Sequence, residues 1–574
     1  MNQNRREFRV SDRKLYEKGL KYLQTENVIK RSRDAWQFFH DRQWEGLERS
    51  EVFGKDGPPF INFIKPDVLY KMTTVGQRNA RIVFSPAENT NEGFLETAKQ
   101  ACDELTAYAA SVWESAKLDS LRWRAIRDAV VVGDGLIHFA GKEDKDGEVS
   151  AAPELIDSVN VFYSDENESD IQKQDYILIS YRRLVTELRK EARDNGLDEE
   201  EISRIVSDEE TEGQANDAAD RELETSEAGS DPEEEASGKA LVILKYWRGE
   251  DGLIRMRKSV SQCVIMPEKQ TGLSLFPIAK LAWEEVKNRA RGNGIVNALI
   301  PNQIEYNKTL ARRTIKVMEA AYPKLVYNET MIDNPEDLDD VGAKIAVRGS
   351  EAVKNMIDYL NPSTMSQDVQ VLSNDLMKLT QEMSGASEAA LGKINPEQAS
   401  GRAILAVQDA SAQIMSLQMQ QHEQFVEDIA RILLDFWVTY AGENGKTIHI
   451  KDENGELKTG MISKDVLDNL RVNVKIEVSP TGTYSLIAVE QTLENYLSAK
   501  YITFEELVEA LPDGSIAPKQ ILKSILQKRA RVQAQAEAEA RAAAAQAPPE
   551  PQSIPGMPGM PGMQNMPGMT PSAP

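Results

Sequence analysis

The chain has 574 residues, 41% of them hydrophobic, and 68 Lys or Arg against 92 Asp or Glu give a formal net charge of -24; this length allows several cores, since one core seldom grows past ~250 to 300 residues. No apolar run nears the ~20 residues that a membrane-crossing helix needs, and the opening MNQNRREFRVSDRKLYEKG holds charges where a secretory signal would be apolar. Cys102 and Cys263 stand far apart with no CxxC partner, which excludes a disulfide framework or a thiolate metal site and leaves the expectation of a soluble protein made in a cytoplasm.

Taken in order, the first third alternates helical and extended patterns. Apolar residues from Leu15 to Phe39 recur at helical spacing and predict two helices with a turn between them, ended by Gly54 to Pro59. A second helical block is predicted over 92–132, with the stripe Ala98, Ala101, Leu105, Tyr108, Ala109, Val112 and Trp113, stopping at Gly133-Asp134-Gly135. A hairpin around Asp146-Gly147 follows, then extended segments at 160–163 and 176–181. Residues 198–236 hold 17 Asp or Glu and 2 Arg. A stretch so charged and so poor in large apolar residues cannot offset its ordering entropy, and 198–238 is expected to be a disordered insertion.

A strand pair is predicted at 240–247 and 253–259, then a helix from Val296 to about Glu319. A small strand-containing element, with a short helix near Ala352 to Met356, separates it from a second helix whose apolar residues Val369, Leu372, Leu376, Leu379 and Met383 step by threes and fours. After a break at 385–400 a long helix is predicted over 401–440, with Ala403, Val407, Ala410, Ile414 and Leu417 in the same spacing. Both stripes are expected to be core, with part of each seam free to meet a neighbouring subunit. Turn-separated strands with a helix between them fill 446–481, residues 486–543 read as helical, and the Pro, Gly and Met repeat after 546 reads as a tail.

Templates for catalysis find no match. The phosphate-loop-like Gly385 to Ile394 has six residues between its glycines where four are needed, and Ile394 stands in place of the Ser or Thr that holds magnesium. His40, His138, His422 and His449 are scattered without ligand spacing, and no GxSxG elbow is present. No catalytic, cofactor-binding or metal-binding residues are assigned. Lys308, Arg312 and Lys316 recur every fourth residue with Arg313 beside them, a basic stripe on the helix from 296. It suits either salt bridges to neighbouring helices or a charged ring facing DNA or a partner.

The ordered series RDAWQFFHDRQW (Arg33 to Trp44), GPPFINFIKPDVLYKMTTVGQRNARIVFSP (Gly57 to Pro86) and DAVVVGDG (Asp128 to Gly135) resembles the portal proteins of tailed phages, in particular the podovirus-type branch. The resemblance continues through a Pro-x-Gln-x-x-x-Asn helix within Gly292 to Leu325 and a Ser-Gly-x-Ala-Ile-x-x-x-Gln helix within Ser400 to Phe436. It implies an α+β, mainly helical portal fold with wing, stem, clip and crown, assembled as a ring of about twelve subunits around a central channel. The implied parts are a wing over 1–290, a first stem helix over 291–320, a clip over 321–364, a second stem helix over 365–384 and a tunnel loop over 385–400. A long wing helix and returning strands over 401–482, crown helices over 483–546 and a tail over 547–574 complete it. Glu388, Lys393 and Glu397 would line the tunnel loop, where Lys393 would touch passing phosphates weakly.

The resemblance implies no enzymatic activity and no cofactor. The implied partners are further copies of the chain, double-stranded DNA held transiently and without sequence preference, terminase, coat and scaffold proteins and a tail adaptor protein, with no membrane, at the portal vertex of the virion. The competing readings are another head-to-tail connector or an ejection protein, and a cytoplasmic enzyme with an acidic insertion. The first gives no reason for a helix, compact module, helix excursion; the second needs a convergent polar pocket.

Overall fold

The computed structural model describes residues 2–44, 58–77, 79–87, 92–143, 148–207, 238–321, 324–339, 344–348, 357–360, 367–384, 414–443, 445–451, 457–469, 472–479 and 483–511, with short pieces between 519 and 529. Helix and antiparallel sheet are mixed throughout, and the chain divides into two compact units, Met1–Gly482 and Thr483–Pro574.

The first two helices, α1 (Asn2–Thr25) and α2 (Val28–Phe39), meet at Asn27, whose left-handed backbone (φ 56°) makes the expected turn. A five-stranded antiparallel sheet, β4 (Val161–Tyr163), β5 (Tyr176–Leu184), β6 (Lys239–Arg248), β7 (Ile254–Val260) and β8 (Val264–Gln270), is the largest. Strand alternation sorts its side chains. On β6, Leu241 and Ile243 pack with Tyr16 and Leu23 of α1, while Ala240 and Val242 pack with Val185 and Leu188 of α6 (Val185–Asp194). Asp12 of α1 is buried and takes a bidentate pair from Arg257 of β7 at 2.6 and 2.7 Å, with Lys245 at 3.5 Å. Such a pair fixes the register of helix on sheet more than it adds stability.

The main core lies beside this sheet. Helices α3 (Ile64–Gly76), α4 (Leu95–Ser115) and α5 (Leu118–Val132) pack with the three-stranded sheet of β3 (Val149–Ile156), β2 (Asp134–Glu143) and β9 (Ile278–Ala282). The α10 helix (Ser416–Thr439) inserts Phe425, Val426, Ile429, Leu433 and Phe436 into the same core. Strands β1 (Asn79–Pro86) and β14 (Val472–Ser479), nearly 400 residues apart in sequence, pair antiparallel and tie the end of this unit back to its first quarter. The strands β12 (Lys446–Lys451) and β13 (Leu457–Ile462), followed by the short helix α11 (Lys464–Asn469), appear where the sequence places them.

From the main body runs α8 (Val296–Ala321); beyond it β10 (Lys324–Tyr327) pairs antiparallel with β11 (Ile357–Leu360), and α9 (Gln367–Ser384) packs back on α8. The short helix expected near 352–356 lies outside the described residues. In the second unit α12 (Thr483–Ser498) and α13 (Phe504–Ala510) enclose a small core of Leu507, Val508 and Leu511 with Leu493 and Leu497.

Four expectations are corrected. The helical block over 92–132 is two helices, because Lys117 takes a left-handed backbone (φ 52°) between them. The helical stretch after 486 breaks at 499–503, where Thr503 and Glu506 form a reciprocal capping box that starts a new helix. The acidic segment is folded as far as 207: α7 (Glu199–Ser203) forms there, since Ile202 and Ile205 supply buried apolar surface against α6 and the sheet. Residues 208–237 lie outside the described ones. The fourth concerns the two apolar stripes. Leu372 and Leu379 are 53% and 56% exposed, and Ile414 and Leu417 are 66% and 55% exposed; these are not core positions of the single chain. Ala403, Val407 and Ala410 lie outside the described residues.

Candidate functional site

The α8 and α9 pair is the element that leaves the body, and its anchorage is built from polar residues on an otherwise apolar face. Leu299, Gln303, Tyr306 and Asn307 of α8 are all buried on the side facing the core. Gln303 donates to the Ile61 carbonyl at 2.7 Å and to Asn307 Oδ1 at 3.0 Å, and accepts from the Phe63 backbone N–H at 3.1 Å. Asn307 in turn donates to Gln43 Oε1 at 2.6 Å. Nearby, Asn62 donates to the Phe38 carbonyl and to Asp41, and its oxygen accepts from the Ile64 and Lys65 N–H groups at the start of α3. The Gln-Trp pair, the Asn before Ile-x-Pro and the Pro-x-Gln-x-x-x-Asn helix, some 260 residues apart, are thus one clamp. Sequence reasoning singled out the motifs but not their contact; the legible signal was a Gln and an Asn at i and i+4 among apolar neighbours.

A second joint fixes where α8 begins. Trp283 and Ile295 donate backbone hydrogen bonds to the Gly133 and Val130 carbonyls at 2.8 and 3.0 Å, and Gly292 N–H donates to the Asp134 carboxylate at 3.0 Å. A Cβ on Gly133 would lie 2.3 Å from the Gly292 oxygen, and one on Gly294 would lie 2.5 Å from the Val131 oxygen. Two glycine turns are therefore interlocked backbone to backbone. Asp134 is buried, and that burial pushes its carboxyl above the usual range against the pull of Lys280. Next to it, Arg291 makes a bidentate pair with Glu166 at 3.0 Å and donates to the Ser158 and Val161 carbonyls.

Further along α8 the four basic residues are separated by what they touch. Lys308 pairs with Glu305 at 3.1 Å and Lys316 with Glu319 at 2.6 Å, both along the helix itself and both partly exposed. Such pairs contribute under about 1 kcal/mol and leave the charge available to other partners. Arg312 is exposed and Arg313 half-buried, with no ion pair to either among the described residues. Glu388, Lys393 and Glu397 lie outside the described residues.

Between α8 and α9 a polar contact stands beside an apolar one, for half-buried Met377 of α9 packs against the main core with Ile300 and Ile304 of α8. Asn302 donates to Thr380 at 3.0 Å, and Ser373 and Thr380 are the buried positions among the described side chains of α9. The leucines face elsewhere, with Leu376 half-buried beside exposed Leu372 and Leu379.

Three of the four histidines expected to be structural or on the surface have described partners, and the side chain of His449 lies outside the described ones. His138 is buried with Glu154 at 2.7 Å on one ring nitrogen and Tyr246 at 2.9 Å on the other, His422 accepts from Arg122 at 3.1 Å, and His40 stacks on Trp36. Among the described residues no three His, Cys, Asp or Glu side chains gather where they could hold a metal ion, and no described helix is long and apolar enough to cross a membrane. Cys102 and Cys263 are both buried.

A family model described as phage P22-like portal protein matches residues 13–569. A search of the curated proteins returns no match.

Proposed function

The chain belongs to the phage P22-like portal protein family, a family of structural proteins, and from this membership we propose that it forms the ring at one capsid vertex through which double-stranded DNA is packaged and later ejected. The observation that carries the reading is the excursion of α8, the β10 and β11 pair and α9 from a body that clamps α8 at Gln303, Asn307 and the interlocked glycines. In a ring this excursion supplies the stem helices, 291–320 and 365–384, with the clip, 321–364, at its far end. The wing is 1–290 with the 401–482 return, and the crown is 483–546, a reading supported by the compact unit that begins at Thr483.

The reading assigns no base-specific contact. Lys308, Arg312, Arg313 and Lys316 line the stem, and Lys393 with Glu388 and Glu397 lines the tunnel loop; in a ring each becomes a circle of weak, salt-screened charges over which a duplex slides. A net charge of -24 suits passage better than grip. Terminase docks at the clip during packaging and a tail adaptor replaces it afterwards, while coat and scaffold proteins nucleate the ring. The protein is made in the host cytoplasm and ends in the virion.

End-on class averages from negative-stain electron microscopy of the concentrated protein test this. Closed rings of about a dozen subunits, with an axial hole wide enough for a duplex, are the expected result. A monomer or dimer at every concentration, even with coat and scaffold proteins added, would sink it.

A further inference from the structure

At the root of α8 a small polar cavity lies between α2, the turn at 289–293 and the first turn of α8. Its volume is about 40 Å³, more than the ~10 to 15 Å³ that one water needs. Ser32 of α2 lines it; that residue is 4% exposed, and its hydroxyl has no hydrogen-bond partner among the described residues. A hydroxyl buried in this way is normally satisfied by something held beside it. Asn297, in the first turn of α8, lines the same cavity, and its side-chain amide too has no partner among the described residues.

The charges around the cavity do not cancel. Three guanidiniums border it. Arg291 is balanced by Glu166 and has four of its five N–H donors engaged, which leaves one on Nη1. Arg289 meets Glu26 at 3.8 Å, and Arg31 donates to Asn293 Oδ1 at 3.2 Å with no carboxylate partner among the described residues. The two carboxyls of the lining are already committed, Glu26 to Arg289 and Asp134 to the Gly292 N–H and the charge of Lys280. The charge of Arg31 is left over. To it the first turn of α8 adds partial positive charge and N–H groups that have no acceptor within the helix.

We propose that this cavity binds one small free oxyanion, of the class of inorganic phosphate or sulfate, held by Ser32 and Arg31 of α2, by Arg289 and by Asn297 with the first turn of α8. A water would satisfy Ser32 and leave the charge of Arg31 unanswered, and a cation would be repelled by three guanidiniums. Guanidinium forks and the N–H groups of a helix start both match a tetrahedral oxyanion. Bound there, the anion ties α2 to the start of α8, beside the joint where the Gly133 and Gly294 turns interlock. It is a ligand-dependent brace on the root of the helix excursion, and it does not depend on whether the chain closes a ring.

The test is equilibrium dialysis of radiolabelled inorganic phosphate against the full chain, with ionic strength held constant by sodium gluconate, whose anion is too bulky for the cavity. One phosphate per chain is expected, saturating between ~0.1 and ~10 mM. Arg31→Gln, and separately Arg289→Gln/Asn297→Ala, should each weaken binding about tenfold or more. Lys18→Gln, which removes the same charge from an exposed position of α1, should match wild type. Circular dichroism checks that the variants fold, and the single change at exposed Arg31 keeps the test open if the double variant does not. Phosphate should also slow amide hydrogen exchange over residues 292–299 of the wild-type chain. No saturable uptake up to ~10 mM, uptake unchanged in both variants, or protection only elsewhere in the chain would each overturn the inference. So would a short DNA duplex that protects 292–299 where inorganic phosphate does not, since the site would then belong to a nucleic-acid backbone.

Discussion

Two residues show how polar groups in this core act in opposite directions. Asp128, on α5, is 14% exposed, and burial pushes its carboxyl up to about 6 although Arg127 holds it at 2.8 Å. Since the unfolded carboxyl titrates near ~3.9, the folded chain binds the extra proton between about pH 4 and 6, and stability falls as pH rises through that window. The penalty is complete above pH 6, on the order of 3 kcal/mol. Asp128→Asn is therefore expected to be more stable than wild type at pH 8 and equal to it at pH 4. All seven tryptophans lie in the first compact unit, so the urea midpoint followed by their fluorescence reads it; equal midpoints at pH 8 would refute the assignment. Gln303 works the other way. It is fully buried and satisfies the Ile61 carbonyl and the Phe63 N–H at once. Gln303→Ala strands both and should cost roughly 2 to 4 kcal/mol, read as faster amide hydrogen exchange over the first half of α8. Adding Asn307→Ala should cost less than it does alone, because the two side chains share one network.

At the scale of elements, legibility followed the kind of force involved. Strands β2, β3, β6 and β7, the helix α8 and the strands β12 to β14 stand where alternation, helical spacing and turn residues put them, because local pattern and tertiary burial agree there. The break at Lys117 was not legible: a lysine in a left-handed turn leaves no composition signal, and the apolar stripe runs on through both helices. The apolar stripes were legible as stripes, but the exposure of Leu372, Leu379, Ile414 and Leu417 in the single chain was not, since a periodic apolar edge has the same spacing whether its partner is in the chain or in another copy. The basic stripe of α8 carries a prediction at this level. Lys308 and Lys316 already have partners along the helix, whereas Arg312 and Arg313 have none among the described residues. Replacing both arginines with Gln should leave ring formation intact and lower the yield of packaged DNA, more at low salt than at high. Unchanged DNA length and yield at every salt concentration would return the stripe to a purely structural role.

For the whole molecule the governing quantity is charge. Residues 208–237 hold 13 Asp or Glu and one Arg, so removing them takes the net charge from -24 to -12, half the total. Like-charged subunits repel, and a ring brings them together, so the work of assembly should depend on how well the solvent screens them. Between ~0.1 M and ~1 M NaCl the screening length contracts from about 10 to about 3 Å. The wild-type ring fraction at fixed protein concentration is therefore expected to rise steeply over that range. A chain with 208–237 replaced by a short Gly-Ser linker should form rings already at ~0.1 M and change little above it. Sodium chloride is the salt to use, because sulfate also strengthens apolar burial and would raise both curves through apolar contacts between subunits. Parallel curves for the two chains would mean that the acidic segment does not control assembly and that the repulsion comes from charges spread over the rest of the chain. Divergence at low salt and convergence at high salt would make the segment an electrostatic spacer that holds free subunits apart until coat and scaffold proteins outweigh it.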